Sequence, residues 1–362
     1  MDVGRPTVSI AIVTFNSARY IRTCLENVLA QGISPLQVVV LDNASSDGTL
    51  RILEEFRGRI QVISRTDNIG FAAGQNQAIR ASANADWVMT LNPDVLMGPE
   101  FVRSLLDAGM GDSKVGAVCG KLLSIAPGFK PLPAPLIDSA GIYFTPAMRH
   151  FDRGWHEHDS RRYNSAGYVF GASAAAALYR RKMIEDVAVD GHFFDPDFFV
   201  YREDADVAWR AQLLGWRCFY TPAAVAHHVR TVTPANRRTL PGFINMHSVK
   251  NRFLMRIKNV TPGVYRRYWL PMTMRDLVVM GGSIFWEPSS LPAFWRVAKC
   301  LPRAVKQRRQ IMARRRVSDE ELVEMFSPEA ESAAPAAHAL QPLRRAAVRG
   351  ASDIASAGYS SE

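Results

Sequence analysis

Six short clusters of polar residues in this chain are of the kinds that hold phosphates, cations and reacting hydroxyls. Four follow runs of apolar and β-branched residues: Thr14-Phe15-Asn16, Asp42-Asn43, Asp67-Asn68 and Asn92-Pro93-Asp94. The other two are Glu203-Asp204-Ala205-Asp206 and His227-His228. Pro93 has no N–H and confines Asn92 to an extended backbone, so the strand before it must stop there. A carboxylate fixed at such an edge, Asp94, can hold a hard cation against a phosphate. The same residues suit a turn in which Asp94 only caps the helix expected after Pro99-Glu100, since Asn and Asp are common in turns. Three acids in the opening turns of a helix at Glu203 likewise suit the helix dipole without any chemistry.

The elements that must position these groups follow from periodicity. Val8–Val13, Gln37–Leu41, Ile60–Ser64, Asp86–Leu91 and Val115–Val118 read as strands. Helices fall between them. The first carries Tyr20, Ile21, Cys24, Leu25, Val28 and Leu29 at helical spacing behind a capping Ser17. Others open after Ser45-Ser46-Asp47-Gly48, after Asn68-Ile69-Gly70 and at Pro99. This alternation predicts right-handed βαβ units and a doubly wound, mostly parallel sheet. The four polar clusters would then line one crevice outside the carboxyl ends of the strands. There is no Gly-x-Gly-x-x-Gly after the first strand and no Walker sequence, which disfavours a dinucleotide dehydrogenase or a P-loop NTPase. From Ile125 to Ala166 the pattern is irregular, and a segment that long is usually functional or disordered. Two further strands are expected at Gly215–Tyr220 and Ala223–His228. On one strand, His227 and His228 cannot both point into a site.

Composition bounds the rest. The chain has 362 residues, with 18 Lys or Arg against two acids between Arg237 and Arg316, while the net charge of the whole is only +10. A basic region of this kind meets an anionic surface. Phe243, Ile244, Met246, Val249, Phe253, Leu254 and Ile257 form an apolar face among Lys250, Arg252, Arg256 and Lys258. Such helices lie in a membrane interface or pack on a main domain with solvated basic faces. The expected organisation is a catalytic domain over residues 1–236, a basic amphipathic helical extension over 237–325 and a disordered tail over 326–362. No apolar run approaches the roughly 20 residues needed to span a bilayer. The N-terminus lacks the layout of a signal peptide, and the four dispersed cysteines read as reduced core thiols, which favours a cytosolic setting.

Val8 to Asn16, Val38 to Thr49, Asn68-Ile69-Gly70-Phe71-Ala72-x-Gly74-x-Asn76 and Leu91-Asn92-Pro93-Asp94 resemble the inverting family-2 glycosyltransferases of the GT-A fold. Glu203-Asp204-x-Asp206 with Trp209-Arg210, and His227-His228, extend the match toward the rhamnosyltransferase-like branch. The resemblance implies that Thr14, Asn16 and Asp42 serve the nucleoside of a dTDP- or UDP-sugar, a carboxylate suiting the N3–H of the base. It implies that Asn68 and Gly70 lie by the ribose and sugar, and that Asn92 supports donor binding. Asp94 matches the last aspartate of the family's Asp-x-Asp motif, here with Asn92 in the first position, and would hold Mg²⁺ or Mn²⁺ with His227 completing the contacts, His228 being the neighbouring candidate. Asp204 matches the catalytic base, and Glu203 and Asp206 are supporting candidates. The implied acceptor is a lipid-linked glycan at the inner face of the membrane, in cell-surface polysaccharide assembly. No nucleic-acid partner is expected. Two rival readings differ in class. A nucleotidyltransferase would need a basic Gly-rich loop after the first strand, which Thr14-Phe15-Asn16-Ser17 does not resemble. A non-catalytic nucleic-acid-binding protein would use the basic C-terminal part, which is interleaved with Trp, Met and Phe.

Overall fold

The computed structural model describes residues 6–34, 36–230 and 242–327. Strands and helices alternate as β1 (Val8–Thr14), α1 (Ile21–Leu29), β2 (Leu36–Asp42), α2 (Thr49–Glu54), β3 (Gln61–Ser64), α3 (Gly70–Ala81), β4 (Trp87–Leu91), β5 (Val95–Met97), α4 (Phe101–Met110) and β6 (Val115–Ser124). Short strands follow: β7 (Ile137–Ser139), β8 (Ile142–Phe144), β9 (His150–Asp152), β10 (Gly167–Val169) and β11 (Ala176–Arg180). The chain continues through α5 (Arg181–Val187), α6 (Glu203–Leu213), β12 (Arg217–His228), α7 (Gly242–Asn259), α8 (Pro262–Phe285), α9 (Pro292–Ala313) and α10 (Asp319–Met325).

The main sheet runs β10-β12-β6-β11-β4-β1-β2-β3, with β5 paired to β12 and β7 to β6. β3, β2, β1 and β4 are parallel, and β11 enters antiparallel between β4 and β6. Every residue of β1 is buried, as expected of a central strand covered on both faces. Ile10 and Ile12 pack with Ile21, Leu25, Phe101 and Leu105 on one face. Ala11 and Val13 pack with Ala78, Ile79, Ile184 and Val207 on the other. The strand order reverses between β1 and β4, so the carboxyl ends of β1, β2 and β4 open on one crevice.

Three expectations need adjustment. Ser17 does not cap α1 with its side chain; its carbonyl accepts from Tyr20 and Ile21. The two strands expected between Gly215 and His228 are one strand, β12, with a register shift between Thr221 and Val225. The irregular segment after Ile125 contains β7, β8 and β9, which bring Asp138 and Asp152 to the crevice.

The expected boundary at residue 236 does not separate two cores. Phe198, Trp209 and Leu213 share a cluster with Leu254, Met255, Val264, Tyr268, Ile311, Leu322 and Phe326. Phe326 is fully buried against Phe144, Phe170 and Trp209, although the tail was expected to begin there. The rest of the expected tail, from residue 328, lies outside the described residues. Much of the basic charge of α9 and the segment after it is ion-paired to acids of the main domain at the surface. Arg303 pairs with Asp197, Lys306 with Asp190, and Arg314 and Arg316 with Asp186.

Candidate active site

Thr14 and Asp42 are register partners at the ends of β1 and β2, and both are fully buried. The Thr14 hydroxyl donates to Asp42 Oδ1 at 2.8 Å, and the Ser45 hydroxyl donates to the same oxygen at 2.6 Å. The Ser45 amide donates to Oδ2 at 3.0 Å. Three of the roughly four acceptor positions of this carboxylate are therefore filled, and one is left. Asn16 sits at φ 51° and knots the same loop, accepting from the Ser46 amide and donating its own amide to Ser45 Oγ.

Asn68 and Gly70 shape a turn after β3. Asn68 Oδ1 accepts from the Gly70 amide, and Asn43 grips the turn from β2 through the Ile69 amide and Gly70 carbonyl. Gly70 has φ +82°, and a Cβ there would lie 2.5 Å from the Phe199 ring. The close approach that demands glycine is thus made by Phe199, whereas the sequence assigned it to a substrate. Asn76, held apart from the first candidates, is buried and bonds the Phe194 backbone in both directions.

Asp94 follows β4 and caps nothing, since α4 begins without a side-chain cap. It faces a histidine, and that histidine is His228. The expectation for His227 is corrected here: on β12 the two rings alternate, and His228 Nε2 lies 3.4 Å from Asp94 Oδ1. Asp138, buried on β7, takes His228 Nδ1 at 2.8 Å. Burial lowers the His228 pKa, but Asp138 and Asp94 outweigh it and raise it to about 9. Arg230 then bridges Asp138, 3.2 Å away, and Asp152, 2.7 Å away. Asn92 ties its amide to the Ala175 carbonyl, and no contact singles out its side chain for a ligand.

The acids of α6 separate sharply. Asp204 is half-buried, and its two oxygens accept from the Ala205 amide at 2.7 Å and the Ala174 amide at 3.3 Å. Burial, then the nearby Asp152 charge, push its pKa up to about 6, against those amides and Arg230. Glu203 is buried, and its Oε2 has no hydrogen-bond partner among the described residues. Burial and then the Asp204 charge hold its carboxyl well above the usual range. Asp206 is fully buried and bonds Arg210, Lys258 and Asn259 at 2.8 to 2.9 Å. Arg210, with its other nitrogens on the Val187 and Phe193 carbonyls, and buried Trp209 belong to the core.

One stretch joins base and cation edge. Ala174 donates to Asp204 and accepts from the Thr90 hydroxyl, and the Ala175 carbonyl takes the Asn92 amide. Asp138, Asp152 and Arg230 carried no motif and were missed. The sequence signal for Asp138 and Asp152 was a long segment lacking regular elements, and Arg230 had none beyond its place just after His227-His228. Asn251 was missed as well. Its Nδ2 donates to the carbonyls of Phe198, Val200 and Tyr201, fixing a loop in which Phe199, Tyr201 and Arg202 all have positive φ.

The site can be tested for a divalent cation. Asp94 offers an oxygen and His228 Nε2 faces it, a donor once a bound cation displaces the proton that the two carboxylates favour. Asp138 orients the imidazole as a carboxylate commonly does behind a metal-bound histidine. Among the described residues no group of three or more His, Cys, Asp or Glu could hold a metal ion. The two donors therefore fit a cation whose remaining positions come from a bound diphosphate.

Residues 9–188 match the family model described as glycosyl transferase family 2. Among curated proteins, N-acetylglucosaminyl-diphospho-decaprenol L-rhamnosyltransferase of Mycobacterium tuberculosis is 26% identical over 235 residues, 60% of this chain and 75% of the relative. GalNAc-T7, solved with UDP, GalNAc and Mn²⁺, superposes with a TM-score of 0.57 at 12% identity, covering 71% of this chain but only 48% of that one. TarS of S. aureus gives 0.51 at 18% identity, covering 84% and 50%. These structures carry the fold alone. With the family model lying over the strands whose ends build the crevice, the chain is a family-2 glycosyltransferase on a GT-A fold.

Proposed function

We propose that the chain transfers a hexose or deoxyhexose, L-rhamnose being the first candidate, from a dTDP- or UDP-sugar with inversion. The acceptor is a hydroxyl of a lipid-linked glycan at the inner face of the cytoplasmic membrane, in cell-surface polysaccharide assembly. One observation carries the reading. A partly buried carboxylate tuned toward neutrality, Asp204, is tied through Ala174 and Ala175 to the strand end that bears Asp94. A base and a diphosphate edge on one rigid frame are what an inverting transfer needs.

Asp204 takes the proton from the acceptor hydroxyl as its oxygen attacks the anomeric carbon. The new C–O bond forms while the bond to the diphosphate breaks, and its electron pair leaves with the nucleotide. Mg²⁺ or Mn²⁺ held by Asp94 and His228 would neutralise charge on the leaving diphosphate. The acceptor position left on Asp42 suits the N3–H of uracil or thymine, which favours dTDP and UDP donors over GDP. The lipid-linked acceptor is supported by the name of the mycobacterial relative.

The test is a donor panel of dTDP-rhamnose, UDP-galactose, UDP-glucose and GDP-mannose, each with and without Mn²⁺. The acceptor is GlcNAc-diphosphate on a short-chain lipid. Turnover with a dTDP- or UDP-sugar that Asp94→Ala abolishes is expected. No turnover and no binding of any uridine or thymidine nucleotide would overturn the proposal.

A further inference from the structure

α8 is 24 residues long and kinked at Tyr268, three residues before Pro271. It buries only Val264, Tyr268, Met272 and Ser283. Trp269, Leu270, Leu277, Val278 and Ile284 all stand more than half exposed. At the corner into α9, Phe285 and Trp286 are each 75% exposed and Trp295 is 68% exposed. Soluble monomers rarely leave so long a run of large apolar groups in water.

The corner is held from beneath. Phe253 of α7 meets Phe294, and Ala293 packs with Met246 and Val249, so the exposed rings project from a fixed base. The charges are sorted as well. Asp276, the only acid in α8, turns to Arg252 and Arg256 of α7. Arg266, Arg267, Arg296 and Lys299 are exposed around the patch. The outward face is thus apolar with a cationic rim. No helix is long and apolar enough to cross a membrane among the described residues.

We propose that this face, from Trp269 to Trp295, docks in the plane of an anionic lipid surface. Its rings and aliphatic side chains enter the headgroup–acyl boundary, and its Arg and Lys meet lipid phosphates. The inference refines the proposed lipid-linked acceptor by naming the element that reaches the lipid. It also moves that role away from the basic end of α9, much of which is ion-paired to the body. A second copy of the chain fits poorly, because a two-fold contact would set one cationic rim against the other. Nucleic acid would stack only on the aromatic residues and would leave the aliphatic stretch of Leu270, Leu277, Val278 and Ile284 in water, whereas a lipid surface covers both.

The experiment is flotation of the full chain with phosphatidylglycerol–phosphatidylcholine vesicles and with pure phosphatidylcholine vesicles, at low and high salt. The parent should float with the anionic vesicles and lose most binding in high salt. Its tryptophan emission should shift to the blue, because Trp269, Trp286 and Trp295 enter the lipid. The triple variant Phe285→Ser, Trp286→Ser, Trp295→Ser should lose about tenfold or more in vesicle binding, each large apolar group adding to insertion. Arg296→Gln with Lys299→Gln, which alters no apolar contact, should weaken binding to anionic vesicles alone. Turnover of a water-soluble acceptor should survive in both, so failure here is distinct from failure of the transferase reading. A parent that does not float, or a triple variant that floats like it, overturns the proposal. So does a parent that light scattering shows to be a dimer which the triple variant dissociates. A chain ending at Ser327 that floats far better than the full chain would assign the patch to the chain's own tail.

Discussion

Two charge clusters lie on either side of the first turn of α6, built from the same residue types and put to opposite ends. In one, Asp195 and Asp206 meet Lys258 and Arg210, with Asn259 on the remaining oxygen, and every member except Asn259 is an ion-pair partner in a dry interior. In the other, Asp94, Asp138 and Asp152 share one imidazole and one guanidinium, while Asp204 nearby accepts from two backbone amides. The first is balanced and closed. The second has more carboxylate than cation and is partly open to solvent. Balance and burial make a fastening between α6 and α7, whereas a deficit of positive charge at an open edge leaves a place for an ion and a proton. Two residues apart on one helix, Asp206 and Asp204 show that the motif alone does not separate these fates.

The largest effect should come from Asp204→Asn. Removing a general base costs about 10²–10⁴ in rate, read as kcat with a nucleotide-sugar donor. The parent's kcat should fall as pH drops through about 6, where Asp204 takes up its proton. Stability should not fall with it. Burial penalises the ionised carboxylate, so above about pH 6 the asparagine variant should unfold at the same or a higher denaturant concentration. A variant with near-parental kcat, or an unchanged acid limb, would remove Asp204 from the chemistry.

Asp206→Ala should do the reverse. It leaves Arg210 without its carboxylate in the interior and Lys258 with Asp195 alone, and breaking a buried pair in this way costs about 3–5 kcal/mol. Denaturant unfolding should show that loss, and enzyme that remains folded should keep its pH profile. If the variant instead keeps its stability and loses kcat, the division between the two clusters is wrong.

Asp138→Asn probes the open cluster at one remove. An outer partner of a metal-bound histidine is worth about 10–100-fold in metal affinity. The Mn²⁺ concentration that gives half-maximal turnover should rise by about that factor, with donor KM at saturating Mn²⁺ little changed. His227→Ala, on the alternate face of β12, should leave that concentration near the parent's, and a shift equal to that of His228→Ala would reverse the assignment of the two rings.

The parallel half of the fold was legible because it is written locally. A strand such as Val8–Val13 declares itself by composition, and its carboxyl end marks the crevice. Asp94 was legible as a crevice candidate for that reason, and Asp204 from the acidic cluster that opens α6. What failed depended on distant residues. Which of His227 and His228 faces Asp94 is set by the pairing of His228 with Val95, and no local pattern contains it. The ring that demands glycine at position 70 lies 129 positions away, at Phe199, and no local pattern announces it. The basic helices looked like a separate surface because the acids that neutralise them, Asp186, Asp190 and Asp197, lie in another part of the chain.

The smallest effect should come from Asn251, where the two clusters touch through α7. Its Nδ2 holds the carbonyls of Phe198, Val200 and Tyr201, and the loop they belong to leads straight into Asp204. Three consecutive residues from Tyr201 to Glu203 carry the chain from that loop into α6, and Tyr201 and Arg202 hold left-handed backbone without being glycine. Such conformations persist only where the surroundings impose them. Asn251→Leu keeps volume and removes the donor, so the loop should relax and Asp204 should lose its aim. We expect kcat to fall about tenfold, a cost of about 1.4 kcal/mol in barrier, with donor KM nearly unchanged and an apparent acid limb displaced from 6. If unfolding free energy drops while kcat and its pH dependence hold, then α7 only fastens the fold, and the closed cluster has no bearing on the open one.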